Sequence, residues 1–306
     1  METVQRVLIP AGTLLMGSEE FYAEEGPVHE RAVAAFELAQ HPVTNAEYAR
    51  FVAATGYVTV AERAIDPAEF PGADPADLVP GAMVFTPTAG PVDLRDWRQW
   101  WRWQPGAYWR RPFGPDSSID DRMDHPVVHI AYEDASRYAE WVGGRLPTEA
   151  EWEWAARGGL VGARFAWGDE VRPGGRLMAD TWQGAFPYRN DGADGWVGTA
   201  PVGSFPPNGF GLVDMIGNVW EWTSSPWTHR HVPPGTEGVD PGPRLNLLSM
   251  SADAGPAASR RVLKGGSHLC APEYCLRYRP AARSSQSEDT AMTHLGFRCA
   301  WDIAEG

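Results

Sequence analysis

Short apolar runs separated by glycine and proline dominate the hydrophobic pattern of this chain. Residues 6–17 predict two short strands around a Pro-Ala-Gly turn, and residues 33–39 predict a third strand. Further along, the apolar centre of residues 125–129 predicts a strand that holds His125 and His129 roughly 13 Å apart. Because of that separation, the two histidines are not expected to share a metal ion.

Three segments predict short helices that each stop at a glycine, namely residues 44–56, 133–142 and 148–157. Thr44 or Asn45 is expected to cap the first helix, since both side chains can accept a bond from a free backbone N–H. Thr148 and Glu151 have the spacing of a capping box at the start of the third. Beyond this helix the helical signal fades.

These elements predict an α+β fold that is loop-rich and has little regular secondary structure. We expect residues 1–306 to form a single domain with long loop insertions at about 64–124 and 227–258. The first insertion interleaves tryptophan with arginine, which favours stacked Arg–aromatic packing in an ordered loop. A wall that binds peptides is the functional alternative for that loop.

Composition and charge narrow the function classes. The 306 residues include 26 basic and 40 acidic residues, giving a net charge of −14, which argues against a nucleic-acid partner. Fifteen tryptophans and 27 prolines predict aromatic packing rather than long helices. The N-terminal residues lack the pattern of an export signal, and no apolar run approaches membrane-spanning length. We therefore expect a cytoplasmic protein without a membrane partner.

Two of the three cysteines, Cys270 and Cys275, lie four residues apart within residues 261–280. The intervening Ala-Pro-Glu disfavours a straight path, so the chain is expected to fold back and bring the sulfurs together. The Gly265-Gly266 pair upstream permits close backbone approach. Downstream, alternation over residues 276–279 predicts a strand that leaves the turn.

Two adjacent thiols have three interpretations. A structural disulfide is the simplest, but a reducing compartment makes it less expected. A soft-metal site is the second, because paired thiolates select Cu(I) or Zn(II). Zinc usually takes four ligands, and only Cys299 and scattered histidines remain to supply the others, whereas a two-thiolate Cu(I) centre needs only the pair. A redox dithiol is the third.

Two further stretches collect oxygen ligands. Asp180 and Asp194 lie in one glycine-rich loop system, and Asp214 and Glu221 flank a second glycine turn. Carboxylates together with turn carbonyls are the ligands that Ca²⁺ takes. Neither spacing is that of an EF-hand, and a simple role as turn formers and caps stays open.

Several stretches together resemble the formylglycine-generating enzyme family, the sulfatase-modifying factors: residues 9–17, 144–154, 208–214, 217–222, 264–267 and 296–299. The resemblance covers nearly the whole chain, although most of these motifs are shared with superfamily members of other activities. Cysteines at the positions of Cys270 and Cys275, after Gly-Gly-Ser, mark the formylglycine-generating members.

The resemblance implies a C-type-lectin-like core and Cu(I) held by Cys270 and Cys275. It implies that O2 oxidises a cysteine in a Cys-x-Pro-x-Arg segment of an unfolded or nascent client sulfatase. A thioaldehyde would hydrolyse to the aldehyde, Cα-formylglycine. We also expect a thiol reductant as partner and a monomeric enzyme.

By position, four more residues are candidates at such a site. Ser267 and Tyr274 are candidate catalytic residues, and Trp220 and His294 are candidate substrate-binding residues. For Ser267, Tyr274 and Trp220, a packing or turn role is an equal alternative.

The resemblance also implies two structural calcium ions. The ligands of the first fall on Asp180, the Thr181 carbonyl, Asp194 and the Trp196 carbonyl. Those of the second fall on Asp214, the carbonyls of Gly217 and Val219, and Glu221. Cys299 matches a cysteine that eukaryotic relatives place in a disulfide, but its partner is missing here, so we predict a buried free thiol.

Two other function classes remain as alternatives. One is a non-catalytic, C-type-lectin-like binding module of the same superfamily, in which the cysteine pair is structural or redox-active. The other is an iron-dependent sulfoxide synthase, which would need a histidine-rich site in an extra helical domain that this chain lacks. Uptake of one Cu(I) per chain distinguishes the oxidase from the binding module.

Overall fold

Short strands and short helices are joined by long loops in the computed structural model, which describes residues 4–69, 72, 74, 78–235 and 259–303. The strands are β1 (Arg6–Ile9), β2 (Gly12–Met16), β3 (His29–Val33), β4 (Phe36–Ala39), β5 (Gly81–Phe85), β6 (Trp101–Pro105), β7 (Gly184–Ala185), β8 (Arg189–Asn190), β9 (Trp220–Pro226), β10 (Arg260–Lys264), β11 (Arg283–Ser287), β12 (Leu295–Gly296) and β13 (Ala300–Asp302). The α-helices are α1 (Asn45–Thr55), α2 (Tyr132–Trp141) and α3 (Glu149–Arg157). The α+β, loop-rich prediction is confirmed.

The sheets are small, and the largest one carries the chain towards the cysteine pair. It has four strands in the order β11-β10-β9-β12, and β12 runs parallel to β9 while the other pairs are antiparallel. A three-stranded sheet has the order β1-β4-β13, and three hairpins pair β2 with β3, β5 with β6, and β7 with β8. None of the helices in the described ranges is long and apolar enough to cross a membrane.

The predicted helix signals are confirmed. The Thr44 side chain accepts a bond from the Glu47 backbone at the start of α1, and Thr148 does the same with Glu151 at the start of α3. Gly56 and Gly158 end these two helices in the left-handed conformation. The second helix begins at residue 132, one residue before its predicted start. Capping is a local interaction, which explains why the sequence pattern predicts it well.

Two predicted strands are wrong in detail. Residues 33–39 do not form one strand, because β3 ends at Val33 and β4 begins at Phe36. Residues 125–129 form no regular strand, only an isolated bridge between Pro126 and Thr44. His129 has a positive φ of 59°, which turns the backbone out of the extended conformation.

The strand predicted over residues 276–279 is also absent. The alternation of arginine with Leu276 and Tyr278 reflects two buried cations rather than a strand with one solvated face. Arg277 binds Glu24 at 2.6 Å and Arg279 binds Glu25 at 2.5 Å, and all four side chains are buried. These ion pairs fix the segment against residues near the N-terminus.

The tryptophan-rich insertion contains regular structure. Its hairpin, β5 with β6, lies within the predicted 64–124 range, and Trp100 and Trp101 are buried in the core. The Arg110 guanidinium lies 4.2 Å above the Trp109 ring, so Arg–aromatic stacking occurs there as predicted. In the second predicted insertion, 227–258, residues 236–258 lie outside the described part of the chain.

We expect Arg279→Met to destabilise the fold by about 3–5 kcal/mol, because it leaves the Glu25 carboxylate buried without its cation. Burial already raises the pKa of Glu25. In the variant, the loss of stability should therefore become smaller as pH falls and Glu25 takes up a proton. Urea unfolding at several pH values measures both effects. The matched control is Arg95→Met, which removes an exposed pair with Asp93 and should leave the midpoint unchanged.

Candidate active site

The two thiols meet in the loop that follows β10. Cys270 Sγ lies 3.2 Å from Cys275 Sγ, and both cysteines are buried and free. The Cys275 N–H donates to the Ala271 carbonyl at 2.6 Å, which closes the turn between them. The predicted fold-back is therefore confirmed. The separation exceeds the roughly 2.05 Å of a disulfide bond.

The glycine pair before the thiols is required by close packing. Gly265 and Gly266 have φ values of 98° and 73°, a conformation that other residues rarely adopt. A Cβ on Gly266 would lie 3.0 Å from the Arg277 carbonyl oxygen and from the Tyr278 backbone. The backbone at Gly266 can therefore pack against residues 277–278 only because glycine has no side chain.

A cavity of about 50 Å³ opens onto both sulfurs. Its walls are aromatic: Tyr274 stacks on Phe186 with ring centroids 4.6 Å apart, and the edge of Trp100 packs on Tyr274 at 5.3 Å. Trp101 packs against His294 at 4.8 Å. The thiols therefore lie beside a small cavity whose walls are largely aromatic.

Ser267 and His294 form the polar side of this cavity. The Ser267 backbone N–H points at Cys270 Sγ at 3.4 Å, and Ser267 Oγ lies 3.3 Å from His294 Nδ1. Parallel pairing of β12 with β9 places Leu295 opposite Trp220, so His294 reaches the cavity from the chain's C-terminal part. The structure brings all four additional candidates to this cavity: Ser267, Tyr274, Trp220 and His294.

The sequence did not single out several residues that line the same cavity, namely Trp100, Trp101, Phe186, Arg277, Ser284 and Gln286. The tryptophans belong to the Trp–Arg run, whose alternative interpretation as a peptide-binding wall was the available signal. Arg277 was assigned to a strand, and the sequence pattern gave no sign of its burial.

Arg277 is the cation beside the thiol pair. Its guanidinium lies 4.1 Å above the Tyr22 ring and binds Glu24, and the Tyr22 hydroxyl accepts from the Leu276 N–H at 3.1 Å. A hydrogen bond from Cys270 and the charge of Arg277 lower the pKa of Cys275 to about 7 despite burial. Burial raises the pKa of Cys270 well above its usual value, so the metal-free pair readily holds one proton.

The first predicted calcium site has the properties of a cation site. Asp180 Oδ2 and Asp194 Oδ2 are buried, and neither has a hydrogen-bond partner among the described residues. Burial raises the pKa of both carboxyls, and their mutual repulsion adds to this for Asp180. Trp196, whose carbonyl is a predicted ligand, donates its N–H to Asp194 Oδ1 at 3.1 Å. A divalent cation would offset the cost of burying these two negative charges.

The second predicted calcium site differs. Glu221 accepts two bonds of 2.7 Å from Arg298 and one of 2.7 Å from Trp152, so its charge is already neutralised. Asp214 accepts from the Gly203 N–H at 2.6 Å, and burial raises its pKa to about 6. The unpartnered oxygens of Asp180 and Asp194 make the first set the stronger candidate.

Cys299 is a buried free thiol, as predicted. Burial raises the pKa of the Cys299 thiol. The Cys299 backbone carbonyl accepts a hydrogen bond of 2.8 Å from the Ala39 N–H, which connects the end of β4 to the residue just before β13. It does not line the thiol cavity. Cys299 therefore serves as an internal control for experiments on the pair.

In the metal-free protein, we expect one thiolate to form with a midpoint near pH 7, followed by a second ionisation only at strongly alkaline pH. Arg277→Met should raise the first midpoint, because the charge that favours the Cys275 thiolate is lost. The ultraviolet absorbance of thiolate followed against pH measures this, with Arg189→Met as a remote control. A first midpoint at the ordinary value of about 8.5 would contradict it.

Comparison with known proteins relates this arrangement to a family. The solved structure of PvdO from Pseudomonas aeruginosa superposes with a TM-score of 0.63 at 24% identity, covering 97% of this chain and 94% of that one. The fold thus has the predicted formylglycine-generating-enzyme type of C-type-lectin-like core.

Sequence relatives are closer. The formylglycine-generating enzyme of Mycobacterium tuberculosis is 64% identical over 300 residues, covering 97% of this chain and 98% of the relative. The enzyme of the same name from Thermomonospora curvata is 46% identical, covering 97% and 93%. The family model of the sulfatase-modifying factor enzyme 1-like domain matches residues 1–303. The chain therefore belongs to the sulfatase-modifying factor enzyme 1-like family.

Proposed function

We propose that this protein is a copper-dependent oxidase that converts a cysteine in a Cys-x-Pro-x-Arg segment of client sulfatases to Cα-formylglycine, with O2 as oxidant. The observation that carries the proposal is the buried pair of thiols, 3.2 Å apart, at the base of a cavity with aromatic walls. The name of the two relatives, formylglycine-generating enzyme, supports the formylglycine product.

The donor set fits Cu(I). Cys270 and Cys275 are buried sulfur ligands, and soft ligands of this kind select Cu(I). Structural zinc requires about four ligands, and the described residues contain no group of three or more histidine, cysteine or acidic side chains arranged to hold a metal ion. Cys270 and Cys275 would hold the copper, which would supply the one-electron chemistry that lets O2 react at the target cysteine.

The residues of the chain bind and orient the target. A cavity of about 50 Å³ admits little more than one cysteine side chain, which places its sulfur beside Cys270 and Cys275. The Ser267 N–H holds Cys270 in position. Burial keeps His294 neutral by lowering its pKa, so its ring can share a hydrogen bond with the Ser267 hydroxyl. Burial also raises the pKa of Tyr274, which keeps its hydroxyl protonated as a donor.

The overall reaction balances with a thiol reductant. The target cysteine loses two protons, one from S–H and one from Cβ, together with two electrons, which gives a thioaldehyde. Two reductant thiols also lose two protons and two electrons as they form a disulfide. O2 takes up the resulting four protons and four electrons and becomes two waters. Water then replaces sulfur in the thioaldehyde, which gives the aldehyde and hydrogen sulfide.

The test incubates a Cys-x-Pro-x-Arg peptide aerobically with Cu(I)-loaded protein and a thiol reductant, followed by mass spectrometry. We expect the mass change of cysteine to aldehyde with the wild type and no aldehyde with Cys270→Ser or Cys275→Ser. Cys299→Ser is the matched control, because it removes a buried thiol outside the cavity, and it should retain turnover.

Three results are informative. Loss of turnover in the Cys299→Ser variant alone would disprove the assignment of the copper ligands. An unchanged peptide with one Cu(I) bound per chain would disprove the proposed substrate. An unchanged peptide without copper uptake would support a non-catalytic binding module instead.

We further propose that calcium binds at Asp180, the Thr181 carbonyl, Asp194 and the Trp196 carbonyl. Calcium at 100 times its Kd should stabilise the wild type by about 2.7 kcal/mol, and Asp194→Ala should abolish this effect. Without calcium, stability should fall as pH rises through the raised pKa values of Asp180 and Asp194, because the folded state resists their ionisation.

Thermal unfolding with calcium or a chelator, over a pH series that begins near the ordinary Asp pKa of about 3.9 and extends upward, measures this. Asp120→Ala, at an exposed carboxylate, is the control. Equal calcium stabilisation of wild type and Asp194→Ala would rule out this ligand set. If Asp214→Ala also reduced the effect, the second predicted ion would be supported.

A further inference from the structure

A small pocket opens beside the exposed side of the turn that joins the two cysteines, and we call it the outer pocket. Its volume is about 170 Å³, which is room for roughly a dozen water molecules and therefore for a small organic molecule. Pro272 and Glu273, the exposed residues of the turn, form one side of it. The outer pocket shares no lining residue with the thiol cavity, so it is a separate site.

A tyrosine hydroxyl lies at the buried end of the outer pocket. Tyr278 is 5% exposed, and its ring stacks on Phe165 with the centroids 6.0 Å apart. The hydroxyl has no hydrogen-bond partner in the described ranges, although packing does not close its oxygen off from the pocket. Burial raises the pKa of Tyr278 to about 12, so the hydroxyl stays protonated. It therefore offers a hydrogen bond to the molecule that occupies the pocket.

Two opposite charges lie at the mouth of the outer pocket. Arg172 is exposed and donates to the neutral Gln183 side chain at 2.7 Å. Glu273 is exposed and accepts from the Phe186 N–H at 3.1 Å. Neither side chain forms an ion pair with any described residue, so both charges remain available to a ligand. Burial raises the pKa of Tyr278 and the charge of Arg172 acts against this rise, which places the guanidinium near the hydroxyl.

These groups match a small zwitterion. A carboxylate can bind both the guanidinium of Arg172 and the hydroxyl of Tyr278, and an ammonium group can bind the carboxylate of Glu273. A simple carboxylate would be repelled by Glu273, and a simple amine would be repelled by Arg172. The remaining wall includes the apolar side chains of Trp167, Val171, Leu177 and Met178. An α-amino acid with an apolar side chain has all three complements.

Two contacts connect the outer pocket to the thiol pair. Trp182, one of its wall residues, donates its backbone N–H to the Cys270 carbonyl at 3.0 Å. The Glu273 carboxylate binds the backbone of Phe186, whose ring stacks on Tyr274 in the thiol cavity with centroids 4.6 Å apart. A ligand bound between Trp182 and Glu273 would therefore restrain the turn without touching either sulfur.

We propose that the outer pocket binds a free α-amino acid, with its carboxylate on Arg172 and Tyr278 and its ammonium group on Glu273. Occupancy of the pocket restrains the turn that carries Cys270 and Cys275. The concentration of the free amino acid then regulates the thiol site. Binding is independent of the proposed function, whereas the consequence for turnover rests on it.

Calorimetric titration of the copper-free, full-length protein in calcium buffer with glycine, alanine and leucine measures binding. We expect saturable binding in the millimolar range that is tightest for leucine, because of the apolar wall. Leucinamide lacks the carboxylate and isocaproate lacks the ammonium group, so each should bind on the order of 10-fold or more weakly than leucine. Absence of saturable binding for all three amino acids, or equal affinities for leucine and isocaproate, would overturn the proposal.

Variants assign each charge of the ligand to its partner. Arg172→Met, Tyr278→Phe and Glu273→Gln should each weaken leucine binding on the order of 10-fold. Glu273→Gln keeps an acceptor for the Phe186 N–H and should also abolish the difference between leucine and isocaproate, which a purely structural role would not do. Arg176→Met, at an exposed arginine outside the pocket, is the control and should bind leucine like the wild type. A Glu273→Gln protein that still prefers leucine over isocaproate would contradict the assignment.

Alkylation of the copper-free protein by iodoacetamide tests the effect on the thiols, and mass spectrometry reads each cysteine separately. Saturating leucine should slow the modification of Cys270 and Cys275 several-fold in the wild type and not in Glu273→Gln. The rate at Cys299, which lines neither space, is the reference. Unchanged rates at saturating leucine would overturn the regulatory part of the proposal.

The outcomes separate this inference from the proposed function. If leucine binds and slows alkylation but the copper-loaded protein does not convert the Cys-x-Pro-x-Arg peptide, the outer pocket stays assigned and the oxidase is disproved. If the peptide is converted but no amino acid binds, the oxidase stands and this inference is overturned.

Discussion

Buried arginine–glutamate pairs hold the thiol loop in place, and the candidate site depends on them. The loop lies outside any strand ladder, so hydrogen bonding between strands cannot position it. Arg277 instead binds Glu24, which lies 253 positions earlier in the chain, and Arg279 binds Glu25. A buried cation that loses its partner is costly, so these pairs allow few alternative arrangements. The position of the thiol loop in the fold is thus set from the opposite end of the sequence.

The same loop connects two spaces of different character. On one side, Cys270 and Cys275 face a cavity that admits one small side chain. On the other, His268 and Leu269 line a pocket of about 340 Å³ whose walls are mainly apolar. Leu269 lines both spaces, so a shift of this residue would alter both.

Carboxylates close to this pocket give the fold a second electrostatic constraint. Asp180 is buried, and the charge of the half-buried Asp194 raises its pKa further. Asp180 is two residues from Trp182, which forms part of the pocket wall. A calcium ion bound there, as proposed, would remove the repulsion and fix the wall. The Glu221–Arg298 pair shows the other solution to the same problem, in which a protein cation neutralises the buried carboxylate.

The sequence by itself determined the features that depend on neighbouring residues: the caps at Thr44 and Thr148, the glycine stops and the fold-back between the cysteines. Motif resemblance gave the fold and the candidate residues of the thiol cavity. Only the tertiary structure decided that Trp100 lines this cavity, that Arg277 is buried beside it, and that the second pocket adjoins it. These depend on contacts between distant segments, and an alternating pattern cannot distinguish an arginine facing water from one buried against a glutamate.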